Sequence, residues 1–261
     1  MVPTVRAILI IIFLTFFIIA SIPIQVFLNF TNTKYKRKFP LFFYQSVKAI
    51  IGLHIIKKDL DKSQDGDTSH GILYVANHVS WFDIICLGSM LNARFIAKKE
   101  VASMGIFGLL STLSNTVYID NENKNRIVEY NKLINEKLKN GENFIIFPEG
   151  TTSDGNGVIQ FKSSLLQCAI EDTNSIKVRP VSICYSHKNN IKMGLYERRF
   201  VSWVGDTNMV QAMKNFLLTG PVTVTILLHS FVSEEFLSSR KNITKYCQET
   251  ILEGLNKIIK I

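Results

Sequence analysis

Ile72-Leu73-Tyr74-Val75-Ala76-Asn77-His78-Val79-Ser80-Trp81-Phe82-Asp83 holds an apolar run of strand length, a polar break and the opening of a helix. A histidine and an aspartate at i and i+5 lie about 140° apart around a helix and on opposite faces of a strand. They meet only where the backbone changes direction between them, and a strand-to-helix turn supplies that change. The strand is expected to end at Tyr74 to Ala76, with Ser80 capping the helix. Asp83 then sits in the first turn and faces back toward an exposed His78, a base with its orienting carboxylate. The same residues also fit a capping box, a serine followed three positions later by an acid, in which Asp83 merely satisfies orphan amides. This stretch alone leaves both readings open.

Phe144-Ile145-Ile146-Phe147-Pro148-Glu149-Gly150-Thr151-Thr152-Ser153-Asp154-Gly155 is a second apolar strand running into a polar, glycine-rich turn, and two such turns suggest one shared site. Further short apolar runs predict strands at Arg94–Ala97, Thr116–Ile119, Val178–Tyr185 and Val222–Leu228, beside those at Ile72–Val75 and Phe144–Phe147. Ile127, Tyr130, Leu133, Ile134 and Leu138 mark a helix between two of them, and a last helix from about Ser238 to Lys260 has an apolar face. This alternation predicts an α/β domain with a mainly parallel sheet flanked by helices.

The blocks resemble the lysophospholipid acyltransferases, the family of 1-acylglycerol-3-phosphate acyltransferase. Its hallmarks are a histidine-four residues-aspartate block, here His78 to Asp83, and a Phe-Pro-Glu-Gly block, here Phe147 to Gly150. Between them, Arg94 to Glu100, Gly105-Ile106-Phe107-Gly108 and Thr116 to Asp120 look like the second block, and Val178 to Ile183 looks like the fourth. The run from Glu149 to Lys162 is most similar to the bacterial branch, which includes enzymes making phosphatidic acid and enzymes making ornithine lipids.

The resemblance implies direct acyl transfer from acyl-CoA or acyl carrier protein to a lysolipid, without a further cofactor or a metal. His78 would be the general base and Asp83 its orienter. Glu149 and Gly150, with Thr151 and Thr152, would help hold the acceptor, and backbone amides near Gly150 or the second-block glycines would face the oxyanion. The leading expectation is acylation of lysophosphatidic acid to phosphatidic acid. The pattern departs at Asn121 and Thr152, where arginine is usual, which leaves Lys98, Lys99 and Lys162 as candidates for an anion. It also leaves room for an acceptor without a phosphate monoester, such as a lyso-ornithine lipid. From another class, a catalytically silent membrane-surface binding module would use the basic residues alone. The sequence has no Gly-x-Ser-x-Gly elbow, no phosphate-binding loop of the Gly-x-x-x-x-Gly-Lys type and no His-Glu-x-x-His, which disfavours a serine hydrolase, a P-loop enzyme and a zincin.

The 261 residues, 47% of them hydrophobic, suffice for one substantial core. No charge falls between Ala7 and Phe30, a stretch long enough for a hydrocarbon core of about 30 Å, although Pro23 interrupts it and a shorter helix turning back within one leaflet is also possible. Arg6 alone is a thin n-region, which disfavours a cleaved signal peptide. Lys34, Lys36, Arg37 and Lys38 follow directly and are expected to stay on the cytoplasmic side, and Pro40 to Ile51 looks like an interfacial amphipathic helix. We therefore expect a membrane-associated helical element over 1–58, a linker over 59–70 and an acyltransferase domain over 71–261, at a bacterial inner membrane with the domain on the cytoplasmic side. The formal charge of +9 carries no nucleic-acid recognition motif, so it is assigned to an anionic bilayer surface. Cys86, Cys168, Cys184 and Cys247 lack paired spacing and are expected as reduced core residues.

Overall fold

Eight strands form one mixed sheet in the computed structural model, which describes residues 3–31, 33–61, 71–120, 124–170, 176–204 and 208–260. They are β1 (Leu53–Asp59), β2 (Ile72–Ala76), β3 (Arg94–Lys98), β4 (Val117–Ile119), β5 (Phe144–Ile146), β6 (Lys177–Lys188), β7 (Ile191–Lys192) and β8 (Val222–Leu228). The order is β1-β8-β6-β2-β5-β3-β4, with β7 paired to β6. From β6 to β4 all neighbours along this order are parallel, whereas β8 runs antiparallel to β6 and carries β1 parallel to itself.

Helices cover both faces of the sheet: α1 (Pro3–Asn29), α2 (Tyr35–Ile51), α3 (Phe82–Gly88), α4 (Gly105–Leu113), α5 (Lys124–Lys139), α6 (Leu195–Val201), α7 (Met209–Thr219) and α8 (Arg240–Lys260). Alternation along the strands divides the core. Tyr74, Ala76, Val181, Ile183 and Tyr185 pack with residues of α1, α2 and α3. Leu73, Val75 and Val178 pack with Ile134 and Leu138 of α5 and with Ile243, Cys247 and Ile251 of α8. Burial on both faces is why the central strands read as near-continuous apolar runs. The expected mainly parallel α/β sheet is the one observed, and all four cysteines are buried and free.

Residues 53–58, expected within the membrane-associated element, belong to the sheet: Leu53–Asp59 is its edge strand, paired with β8 from Leu53↔Val222 to Asp59↔Leu228. Gly52, in the left-handed region at φ 72°, caps α2 and turns the chain into the sheet. At an edge, Lys57 and Lys58 face solvent, so the strand lacks the apolar signal of its neighbours. Most of the linker expected over 59–70 lies outside the described residues.

α1 runs unbroken through Pro23 and is long and apolar enough to cross a membrane, with only 17% of its most apolar window buried. Both of its ends are tied to the rest of the fold. Arg6 donates to the carbonyls of Leu217 and Ile51 at 2.9 and 2.8 Å, and Asn29 donates to the carbonyl of Leu113 at 3.2 Å. The helix therefore lies along the domain, with α2 folded back on it through the stacked rings of Phe17 and Phe43. Phe43, Tyr44, Val47 and Ile51 of α2 are buried, so its apolar face is used by the protein core.

Candidate active site

Beyond Ala76, the side-chain amide of Asn77 takes over from the strand: it donates to the Ile183 carbonyl at 3.0 Å and accepts from the Ile183 amide at 2.7 Å. The chain then turns, and α3 begins at Phe82. Its N-cap is Trp81 rather than the expected Ser80, with helical dihedrals and no side-chain cap. Asp83 meets the unpaired amides of this turn instead. Its Oδ2 accepts from the amides of Val79 and Ser80 at 2.7 and 2.9 Å and faces His78 Nδ1 at 2.8 Å. Its Oδ1 accepts from the Tyr185 hydroxyl at 2.8 Å. One buried carboxylate thus meets the amides of the turn and holds the histidine ring at the same time.

Asp83 accepts from the Val79 and Ser80 amides and the Tyr185 hydroxyl, and a carboxylate has no proton to give, so Nδ1 is the His78 nitrogen that donates to it and Nε2 is the one turned away. The His78 ring stacks on Phe147, with centroids 4.1 Å apart, and its side chain is 18% exposed while Asp83 is sealed. A clamped imidazole with one open nitrogen can take a proton from a group arriving at the solvent side.

Glu149 was expected to face the acceptor, but it is buried and spent on backbone. Oε1 accepts from the His78 amide at 2.7 Å and Oε2 from the Ile159 amide at 3.0 Å. It joins the two turns, and the Ser153 amide adds a bond to the His78 carbonyl at 2.7 Å. Burial pushes the Glu149 carboxyl up to about 7 against the opposing effect of those two amides, and the Asp83 charge adds to the rise. Gly150 adopts φ 66°, and a Cβ there would meet Lys162 Nζ at 3.2 Å, so the lysine lies over the turn. The Gly150 amide donates to the Phe147 carbonyl at 3.1 Å and is therefore not free to face an oxyanion.

Thr151 is exposed, whereas the Thr152 hydroxyl is bonded to the Trp203 carbonyl. Lys98 is the last residue of β3 and Lys99 follows it, at the C-terminal ends of the parallel strands β2, β5 and β3. Both are exposed, and Lys99 pairs with Asp120 at 3.3 Å. Asn121 lies outside the described residues. Tyr185 was missed in the sequence, where its alternation with Val181 and Ile183 marks only a buried strand position.

The Acyltransferase family pattern matches residues 54–184, from β1 through the fourth block. The chain belongs to the acyltransferase family. It is 33% identical to the lyso-ornithine lipid O-acyltransferase of Brucella abortus over 87% of this chain and 85% of that one. It is 30% identical to the same-named protein of Rhizobium meliloti over 90% of this chain and 80% of that one. A 1-acyl-sn-glycerol-3-phosphate acyltransferase of Neisseria gonorrhoeae is 37% identical, but over 44% of this chain and 45% of its own length. The fold matches the crystal structure of the 1-acyl-sn-glycerophosphate acyltransferase PlsC from Thermotoga maritima, with a TM-score of 0.68, 22% identity and coverage of 98% of this chain and 95% of that one. Family membership makes the protein an acyltransferase and sets aside the silent binding module.

Proposed function

We propose that this acyltransferase moves an acyl group from a thioester donor, acyl-CoA or acyl carrier protein, to the free hydroxyl of a lyso-ornithine lipid at a membrane surface. The observation that carries the chemistry is the His78 ring, with Nδ1 held by Asp83 and Nε2 open. Nε2 takes the hydroxyl proton as the lipid oxygen attacks the thioester carbonyl. Asp83 stabilises the imidazolium that forms. The tetrahedral intermediate collapses by breaking the carbon–sulfur bond, and the departing sulfur receives the proton from Nε2. The products are an ester and a thiol, with no acyl-enzyme between. Glu149 acts through the backbone, fixing the amide of His78 relative to the second turn.

The acceptor reading rests on two supports. The Brucella and Rhizobium relatives align over most of both chains and carry that name. In addition, Thr152 stands where an arginine for a phosphate monoester is usual, and its hydroxyl is engaged by Trp203. Lysophosphatidic acid is the second reading, favoured by Lys162, whose ammonium lies over Gly150. The exposed apolar face of α1 fits a bilayer, with the helix lying along the domain so that the lysolipid arrives laterally. Drawing a chain of about sixteen carbons into water would cost on the order of 10 kcal/mol, which a membrane-seated site avoids. Purified protein assayed with both acceptors tests the reading. Transfer to lyso-ornithine lipid well above transfer to lysophosphatidic acid is expected, and the reverse preference overturns it.

A further inference from the structure

The face of the sheet opposite α1 and α2 holds a cavity of about 110 Å³ between β1, β6, β7, β8, α6 and the end of α8. Its walls carry Lys58, His187, Lys192 and Arg198, and no carboxylate is among its lining residues. The three cationic side chains Lys58, Lys192 and Arg198 around one concavity repel one another unless something negative sits between them.

Arg198 is the anchor. It is 97% buried by virtue of a relative exposure of 3%, which is rare for an arginine without a carboxylate partner. Its Nε donates to Asn156 Oδ1 at 2.8 Å and its Nη1 to the Met193 carbonyl at 2.6 Å. Both partners are neutral. Among the described residues, Nη2 has no hydrogen-bond acceptor, so a guanidinium edge is left for a ligand. The floor is polar as well: Ser186 Oγ lies 2.9 Å from Thr225 Oγ1 and 3.0 Å from His187 Nδ1. A planar donor fork beside ammonium groups and hydroxyls matches a tetrahedral oxyanion.

We propose that this cavity binds the phosphate group of a soluble phosphate-bearing molecule, at a site separate from the His78 turn. Two sources share the chemistry, a free phosphate ester and an anionic lipid headgroup. The cavity's position favours the first, because Cys184, Ser186 and Thr225 face α8 while the apolar surface of α1 lies on the opposite face. The site also touches the loop after Glu149. Arg198 holds Asn156, and the neighbouring Gly155, at φ 77°, lies close against Val79, which a Cβ there would approach to 3.0 Å.

Calorimetric titration of the full chain in detergent with inorganic phosphate tests this, with chloride at matched ionic strength as the reference. Saturable binding of one phosphate is expected. The double variant Lys58→Gln/Lys192→Gln, which changes two exposed side chains, should weaken it at least tenfold with the melting temperature unchanged. Arg198→Lys should weaken it too, and if that variant fails to fold, the lysine pair still decides. No saturable binding to the wild type, or equal binding to wild type and double variant, overturns the site. Flotation with phosphatidylglycerol and with phosphatidylcholine vesicles separates the sources. Equal vesicle binding by wild type and double variant supports a soluble ligand, whereas loss confined to phosphatidylglycerol vesicles overturns that source.

Discussion

Strand β6 supports a histidine through each of its faces, and the two differ in everything except residue type. Through Tyr185 it holds Asp83, and through Asp83 it holds His78, whose second nitrogen is open. Through Ser182 on the other face it holds His229, whose Nε2 is 2.7 Å from a hydroxyl that also lies 2.9 Å from the Ile251 carbonyl. Helix α8 closes over that pair at Gly254, where a Cβ would come within 2.4 Å of Ser182 Oγ and 2.6 Å of the His229 ring. Burial, with the charges of Lys257 and Arg179, pushes His229 down to about 4, so it is neutral at ordinary pH. A buried histidine against a hydroxyl is a core hydrogen-bonding group. A histidine with a carboxylate behind it and an opening in front is equipped to move a proton.

The largest effect is expected at His78. His78→Ala should lower kcat by about 10²- to 10⁴-fold, the range a positioned general base supplies, with little change in melting temperature. Activity within about tenfold of wild type in a lysolipid acylation assay would show that His78 is not the general base. Tyr185→Phe is the next test. It deprives a buried carboxylate oxygen of its only donor among the described residues, a charge-assisted bond at 2.8 Å. We expect kcat to fall about tenfold with KM nearly constant and the pH–rate profile to move, because the hydroxyl acts on the charge that orients His78. An unchanged profile with a lower melting temperature would make Tyr185 a packing residue.

Much of this site is legible in the sequence because it is local. The i, i+5 spacing of His78 and Asp83 demands a strand-to-helix turn, and the apolar runs of β2 and β5 place that turn and the Phe-Pro-Glu-Gly turn at the ends of two strands. What escapes is whatever depends on partners far along the chain. Tyr185 meets Asp83 across 102 positions, and Glu149 meets the His78 amide across 71. No periodicity links such positions, and the carboxylate of a Phe-Pro-Glu-Gly turn looks from sequence as though it faces the substrate. β1 escapes for the opposite reason, since an edge strand with half its residues in solvent loses the signal that burial writes into a sequence.

Glu149 and His229 respond to pH with opposite signs. Glu149 has its folded value raised from 4.5 to about 7, so the stability associated with its protonated form is complete below 4.5 and lost as pH rises through 7. Glu149→Gln forfeits one backbone bond at every pH but escapes that loss, on the order of 3 kcal/mol. Its melting-temperature deficit should therefore narrow from pH 5 to pH 8, and a deficit that widens would contradict the raised carboxyl.

His229 is expected to have the smallest effect on catalysis, and it reverses the pH dependence. Its folded value is depressed from 6.5 to about 4, so its contribution is complete above 6.5 and lost as pH falls toward 4, because only the unfolded chain takes up the proton. His229→Gln keeps an amide donor for Ser182 and should leave kcat within about twofold, since among the described residues the hydrogen bonds of His229 run to Ser182, Arg179 and Pro180, none of them in the turn at His78. Its melting deficit, of the size of one imperfect buried hydrogen bond, should narrow from pH 8 to pH 5. Thermal melts of both variants at the two pH values therefore give crossing trends if the two carboxyl and imidazole environments are as described. A large loss of activity in His229→Gln would mean that the two faces of β6 are coupled, and the division between an open histidine and a sealed one would fail.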